Sequence, residues 1–413
     1  MSVNISPARA AAFRILCGVA EGAHSDDLLF SPAVTALSDA DKNLTMAIVM
    51  GVLRWQILLD AQIAALMDRP LLKVATEVMV ALRMGVFQLW YLDRIPDHAA
   101  ISESVELCRA ANQAYATGMV NAVLRKLARA GKPAAQTRKL VVTPAFLAAE
   151  YAHPEWMVAR WMKIYGAAVT EKILAADQSE SQVGAEMFVE ADGPPGGSKI
   201  DAGSRLVAEI AAAGAAKNIL DCCAAPGGKT MVLAERHPEA EITAMDNSAP
   251  RLERMRGQLR AFANVECVPG DAAKLGGATY DRILCDVPCS GTGTLARNPE
   301  IRHKITAADL SKQAKRQREI LASTLRALKP GGRLIYSTCS LEPEENEQIV
   351  EFVLGKVTGA RLVPMAEVLE NVPALTADAV AMLQATAVRG DLLRTVPGVQ
   401  PCDGFFAAVI TKD

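Results

Sequence analysis

Asp221-Cys222-Cys223-Ala224-Ala225-Pro226-Gly227-Gly228-Lys229-Thr230 is the stretch whose reading decides the fold, because it joins a short apolar run to the start of a helix. Asn218 to Leu220 reads as a strand edge, Pro226 ends regular structure, and the Gly227-Gly228 pair lets the backbone turn tightly and approach a ligand. Helix is expected from Thr230 onward. A loop that leaves the carboxyl end of a strand and opens a helix is where doubly wound sheets bind nucleotide-like ligands. The stretch is neither G-x-G-x-x-G nor G-x-x-x-x-G-K-[ST], which argues against hydride transfer and nucleotide hydrolysis. A glycine pair closing an ordinary surface turn would look the same in isolation.

Downstream and upstream of this loop, from Lys199 to the end, short apolar runs alternate with helical stretches, the pattern of a parallel sheet covered on both faces. Strands are expected at Asn218 to Leu220, Ile242 to Met245, Val265 to Val268, Ile283 to Cys285, Arg333 to Tyr336 and Phe405 to Ile410. Helices are expected at Ser204 to Ala213, Thr230 to Arg236, Ala249 to Ala263, Ala307 to Leu328 and Glu344 to Val357. Asp221, Asp246, Asp271 and Asp286 close successive strands. Any one of them alone could cap a helix. Together they suit ribose hydroxyls and an adenine amino group, and with no phosphate-cradling signature the leading cofactor is S-adenosylmethionine.

Toward the amino terminus, Pro7 to about Gly131 reads as helix throughout, with Val78, Leu82, Val86 and Leu89 on one buried face. Ser38 and Asp39 cap a helix from Leu44 to Leu59, and Pro96-Asp97 breaks the chain before Ile101 to Ala111. Arg54, Arg83, Arg94, Arg125, Lys126 and Arg129 read as solvated surface, or as a basic side that holds RNA phosphates. Between Pro133 and the Gly193-Pro194-Pro195-Gly196-Gly197 turn, prolines cut the chain into short pieces with one or two linker helices. Trp156 and Trp161 are expected to pack there. The expected domains are 1–132, all-helical; 133–198, linker helices and a hinge; and 199–413, a Rossmann-like α/β domain.

The chain has 413 residues, 51% of them hydrophobic, and a net charge of −2. Its pI is about 6.3. Nucleic acid would therefore be held by local basic patches and not by a global positive excess. No basic region precedes a long apolar run at the amino terminus, and no uncharged stretch is long enough to cross a bilayer. Nine cysteines, an odd number without a secretion signal, argue for reduced thiols in a cytoplasmic protein.

Two cysteines follow strand ends on the loop's edge of the sheet: Cys289 in Asp286-Val-Pro-Cys-Ser-Gly-Thr-Gly and Cys339 in Tyr336-Ser-Thr-Cys-Ser. A thiolate is a strong nucleophile, and such positions lower its pKa. Cys17, Cys108, Cys267 and Cys285 read as inert interior thiols. Adjacent Cys222-Cys223 and the isolated Cys285 and Cys289 pair do not make a zinc site, so no metal is expected. Arg297, Arg302, His303, Lys304, Lys312, Lys315, Arg316 and Arg318 form a basic run suited to phosphates around an everted base, or a solvated helix face. The acid-rich Glu342 to Glu351 stretch reads as a helix start.

These motifs carry a resemblance at both ends of the chain. Gly51-Val-Leu-Arg-Trp, Leu82-Arg-Met-Gly-Val-Phe-Gln-Leu, Pro96-Asp97-His98-Ala-Ala-Ile-Ser-Glu-Ser-Val-Glu-Leu and Gly118-Met-Val-Asn-Ala-Val-Leu-Arg-Lys-Leu resemble the helical RNA-binding domain of the antitermination factor NusB. His98 itself reads as a structural residue of an inter-helix turn. The Asp221 loop, Asp286-Val-Pro-Cys, Thr338-Cys339 and Asp403-Gly-Phe-Phe-Ala-Ala resemble the Sun family of RNA cytosine-5 methyltransferases. That resemblance implies S-adenosylmethionine held by Cys223, Ala224, Ala225, Pro226, Gly227, Gly228, Lys229, Asp246, Asp271 and Asp286, and RNA, 16S ribosomal RNA, as partner. It assigns attack on cytosine carbon 6 to Cys339 and product release to Cys289, with Asp286 contacting the cytosine. A departure accompanies it: the RNA-contacting subdomain of the family is shortened here to Gln178 to Lys199, which leaves substrate choice open. A non-catalytic RNA-binding or assembly factor, or a methyltransferase acting on another RNA such as tRNA, is the competing reading.

Overall fold

The computed structural model describes residues 5–68, 70–134, 142–179, 184–189 and 200–413. The chain forms two compact units, Met1–Ser179 with Ala296–Lys304, and Glu180–Leu295 with Ile305–Asp413. The hinge expected at residues 191–198 lies outside the described residues.

The first unit is helical. Pro7–Ala20, Asp39–Ala64, Thr76–Tyr91, Asp97–Ala110 and Thr117–Ala130 bury one face each around Leu16, Ile48, Val52, Val78, Leu82, Val86 and Leu124. The expected capping at Ser38 is present: its hydroxyl accepts the Asp41 N–H, satisfying a donor the helix cannot. Asp39–Ala64 is, by length and composition, the one described helix apolar enough to cross a membrane, yet it carries Arg54 and Asp60 and turns Ile48, Val49, Val52, Leu59 and Ile63 into the core. Two arginines of the expected basic face are used internally. Arg83 makes a two-pronged ion pair with Asp60 at 2.7 and 2.8 Å, and Arg54 donates to the Ala296 carbonyl.

Three helices follow where one or two linker helices were expected: Pro144–Glu150, Glu155–Tyr165 and Ala167–Asp177. Trp161 is fully buried there, with its ring edge-on to His153, as packing and not base stacking requires. The same unit takes in the short segment Ala296–Lys304, which corrects the reading of the basic run. Arg302 is buried and donates to the carbonyls of Arg54, Ala152 and Asp177, His303 bonds the Leu53 carbonyl at 2.8 Å, and Lys304 donates to Ala23. A guanidinium that saturates buried carbonyls is structural cement and does not meet phosphate.

The second unit is built on a twisted sheet of nine strands: β1 Asn218–Asp221, β2 Glu241–Asp246, β3 Val265–Pro269, β4 Tyr280–Asp286, β5 Leu328–Thr338, β6 Ala360–Leu362, β7 Val388–Arg389, β8 Leu392–Arg394 and β9 Phe406–Lys412. Their order is β3-β2-β1-β4-β5-β9-β8-β7, with β6 also on β9; the first five are parallel and β9 runs antiparallel to β5. Side chains alternate between two cores, as period-two geometry demands. Ile219, Leu284 and Ile335 pack with Leu206, Val207, Ile210 and Leu233 on one face. Leu220, Ile283, Leu334 and Tyr336 pack with Ile320, Leu321, Ile349 and Val353 on the other. Both faces are covered, so the strands read as continuous apolar runs. Strands β6, β7 and β8 escaped the sequence reading because two or three residues show no alternation. Residues 184–189 belong to this unit: Phe188 bridges Leu375, and Met187 is buried.

Candidate active site

Strand β1 delivers the Asp221 to Thr230 loop to the carboxyl edge of the sheet. The Cys222 N–H bonds the Leu284 carbonyl and the Ala224 N–H bonds that of Met245, so the loop lies across the ends of β4 and β2. Gly227 turns the chain into the helix Gly228–Arg236 with φ of 112°, a conformation that costs a side-chain-bearing residue about 1–2 kcal/mol. Asp221 is buried and accepts the Thr230 hydroxyl at 2.7 Å. Burial pushes its pKa up from 3.8 to about 7, with the Thr230 hydrogen bond working against, Asp286 adding to the rise and Lys229 opposing it. The folded protein therefore holds a proton that the unfolded chain releases near pH 4. The associated stability is full below the ordinary carboxylate range and is lost as pH rises through about 7. Asp221→Asn should remove this slope: urea unfolding from pH 4 to pH 8 should depend on pH less steeply by about one proton equivalent.

Four acids line this edge in the strand order β3-β2-β1-β4, that is Asp271, Asp246, Asp221 and Asp286. Asp246 accepts the Ala225 and Ser248 N–H groups at 3.3 and 2.9 Å and faces Arg251. Asp271 accepts the Ala273 N–H and pairs with Arg316. Desolvation pushes its pKa upward, but the Ala273 N–H and Arg316 outweigh this and hold it below the usual range. Asp286 closes β4 between Ser337, whose hydroxyl donates to it at 2.7 Å, and Lys229, whose ammonium lies 2.8 Å away. Lys229 also donates to Ser204. Burial works to lower its pKa, and the Asp286 carboxylate, with Asp201 and Cys339, reverses this and raises it, so the ammonium stays charged.

The two cysteines meet. Cys289, beyond β4, and Cys339, beyond β5, place their sulfurs 3.4 Å apart. Adjacent parallel strands set this approach, and backbone bonds from Val287 to Ser337, from Gly293 to Cys339 and from Gly404 to Gly293 hold the loops together. The hydrogen bond to Cys339 is the first cause that drives the Cys289 pKa well above the ordinary thiol value, and burial is the second. The two thiols are thus within hydrogen-bonding reach, and either sulfur can donate to the other. A Cβ at Gly293 would lie 2.2 Å from the Gly404 carbonyl oxygen, so only glycine lets the chain of Asp403-Gly-Phe-Phe pass behind the pair. Gly293→Ala should destabilise the unit by about 1–3 kcal/mol in urea unfolding and lower methylation with it.

Every catalytic and cofactor residue named from sequence lies on this edge or its loops. Cys108 and Cys285 are buried, whereas Cys17 and Cys267 are only half-buried. Among the described residues no cluster of His, Cys, Asp or Glu could hold a metal ion. The basic run divides again here. Arg316 is spent on Asp271 and Arg318 lies over the Phe352 ring, while Lys312 and Lys315 stay exposed. Ser204, Ser337, Gln317 and Glu345 were missed. The repeated Cys-Ser pairs, Cys289-Ser290 and Cys339-Ser340, were the signal that could have drawn attention to Glu345, which bonds both serines.

Comparison with known proteins places the chain in a family. Residues 210–411 match the family model described as 16S rRNA methyltransferase RsmB/F, and residues 6–129 match the NusB family. The Ribosomal RNA small subunit methyltransferase B of Xanthomonas campestris pv. campestris is 32% identical over 442 residues, spanning 98% of this chain and 97% of the relative. The chain belongs to the RsmB/F family. A second RsmB/F relative, from Vibrio cholerae, is 31% identical over 98% of this chain and 97% of its own length. The crystal structure of PH0851 shares the fold, with a TM-score of 0.77 over 100% of both chains at 21% identity. As an RsmB/F member the chain is an S-adenosylmethionine-dependent RNA cytosine-5 methyltransferase with a NusB-type helical region. The residues present fit that cofactor. A row of acids suits a cationic, phosphate-free ligand with ribose hydroxyls, and Ala224, Ala225 and Gly227 leave the loop without bulky side chains.

Proposed function

We propose that this enzyme methylates carbon 5 of a cytosine in 16S ribosomal RNA, with Cys339 as nucleophile and Cys289 as the group that releases product. The 3.4 Å approach of the two sulfurs beside the Lys229 and Asp286 pair carries the reading. S-adenosylmethionine, held by Cys223, Ala224, Ala225, Pro226, Gly227, Gly228, Lys229, Asp246, Asp271 and Asp286, supplies the methyl group. The Cys339 thiolate, steadied by the Lys229 ammonium and the Cys289 S–H, adds to carbon 6 of the cytosine; the ring loses its aromaticity and carbon 5 becomes nucleophilic. Asp286 accepts from the exocyclic amino group and fixes the ring as charge develops.

With Cys339 consumed in the new carbon–sulfur bond, Cys289 gives up its proton to water. The resulting thiolate takes the carbon 5 proton, the carbon 5–carbon 6 double bond reforms, and Cys339 leaves as a thiolate. One proton is released per methyl transferred, which balances the reaction. The helical region, residues 1–132, is assigned to RNA binding, where His98, Asn121, Arg125 and Arg129 line one concavity. Residues 133–198 act as connector and 199–413 as the catalytic domain, in the cytoplasm.

Incubation with unmodified 16S ribosomal RNA and labelled cofactor, followed by bisulfite mapping, tests the reading. A single modified cytosine supports it. Modification of tRNA in its place, or tight RNA binding with no incorporation, would overturn the assigned substrate or the assigned catalysis respectively.

A further inference from the structure

We propose that Glu345 is a positioning residue whose buried carboxylate ties the Cys289 and Cys339 loops together and so sets the separation of the two sulfurs. The inference rests on the functional reading above for its meaning, but not for its geometry. Glu345 has no solvent exposure. One carboxylate oxygen accepts the Ser290 N–H at 2.9 Å and the Gln317 amide at 3.0 Å. The other accepts the hydroxyls of Ser290 and Ser340. Ser290 directly follows Cys289, and Ser340 directly follows Cys339. Gln317 also donates to the Pro288 carbonyl at 2.9 Å, so the residues on either side of Cys289 are both reached through this cluster.

The carboxylate is itself anchored. The Tyr336 hydroxyl of β5 donates to the Glu345 carbonyl at 2.6 Å, and Asn346 accepts from Thr338 while donating to the Ser340 carbonyl. Four donors converging on one buried carboxylate compensate its desolvation, whereas removing it would leave the buried Ser290 N–H without its acceptor. Burial raises the Glu345 pKa, and the Ser290, Ser340 and Gln317 donors oppose that rise. Glutamine preserves the bridge, because its amide oxygen can meet the two N–H donors and its NH2 the two hydroxyls, which can turn to accept. Alanine does not.

The test measures geometry and chemistry separately on the full-length protein. Diamide, an azo oxidant, takes two electrons and two protons from a pair of thiols in contact and becomes the hydrazine. The rate at which the Ile283–Arg297 and Leu334–Lys356 tryptic peptides become joined through Cys289 and Cys339, located by fragmentation, therefore reports how closely the sulfurs are held. Glu345→Ala should slow this linkage about 10-fold or more, and an ångström of misplacement should slow RNA turnover about 100-fold. Its affinity for S-adenosylmethionine should stay within about 3-fold of the wild type, since the Glu345 carboxylate bonds Ser290, Ser340 and Gln317 and none of the residues assigned to the cofactor. Glu345→Gln should restore both rates to within about 5-fold.

A Glu345→Ala protein that binds cofactor and links its cysteines at the wild-type rate overturns the proposal, as does a Glu345→Gln protein as impaired as the alanine variant. Should Glu345→Ala fail to fold, the Ser290→Ala, Ser340→Ala double variant removes the hydroxyl donors alone, and an unchanged linkage rate there is equally decisive. If linkage slows as expected but wild-type protein never methylates RNA, the positioning role stands and the functional reading falls.

Discussion

Cys339→Ser should abolish methyl transfer to RNA, lowering it by about 10⁴-fold or more while the protein folds and binds S-adenosylmethionine as before. Serine keeps the size of the side chain, so the surrounding packing survives. What it loses is the thiolate: a hydroxyl beside the Lys229 ammonium is not ionised at neutral pH and cannot add to carbon 6. Because this step precedes every other, no covalent RNA adduct should form either. Transfer of labelled methyl groups, with cofactor affinity measured in parallel, separates the chemical defect from misfolding. Turnover unaffected by the substitution would instead point to direct attack by an exocyclic nitrogen, chemistry that needs no thiol.

Cys289→Ala acts at the other end of the reaction. Cys339 can still attack and carbon 5 can still be alkylated, but no thiolate is present to take the carbon 5 proton, so the enzyme remains bonded to methylated RNA. Turnover should fall by about 100-fold or more, the scale of a positioned proton acceptor. Unlike Cys339→Ser, this variant should produce a slowly migrating RNA-linked band on denaturing gels. The double variant should lose the band, since adduct formation depends on Cys339. The 3.4 Å spacing puts both sulfurs within reach of one bound base, which the proposed division of roles requires.

Much of this was legible from sequence because parallel strands place their functional residues at predictable points. The apolar runs ending at Asp221, Asp246 and Asp286 marked strand ends, and a strand end in a doubly wound sheet is where ligands gather. Cys289 and Cys339 were findable for the same reason, though their mutual contact depends on β4 and β5 being neighbours, a pairing that strand-by-strand reading does not supply. Which sulfur attacks was not legible from spacing at all; that assignment came from family resemblance, and the adduct-mapping experiment below tests it.

The failures have physical causes as well. Arg302 and His303 fell in a run read as facing phosphate or solvent because charged side chains are usually exposed, but both turn inward onto backbone carbonyls of the helical unit. Glu345 was hidden among the acids of Glu342 to Glu351, where composition suggests a solvated helix start. Its bonds to Ser290 and Gln317, both far away in sequence, belong to an interior carboxylate. Polar networks that join distant segments leave no periodic trace.

The most direct test is to find where RNA is attached in the Cys289→Ala protein. After reaction with 16S ribosomal RNA, the denatured complex is digested with nuclease and trypsin, and the modified peptide is weighed and fragmented. The tryptic peptide Leu334–Lys356 contains Cys339 as its sole cysteine. We predict a methylated cytidine nucleotide attached to that residue. A nucleotide on any other cysteine, or active protein that transfers methyl groups with no adduct in either variant, would contradict covalent catalysis by Cys339.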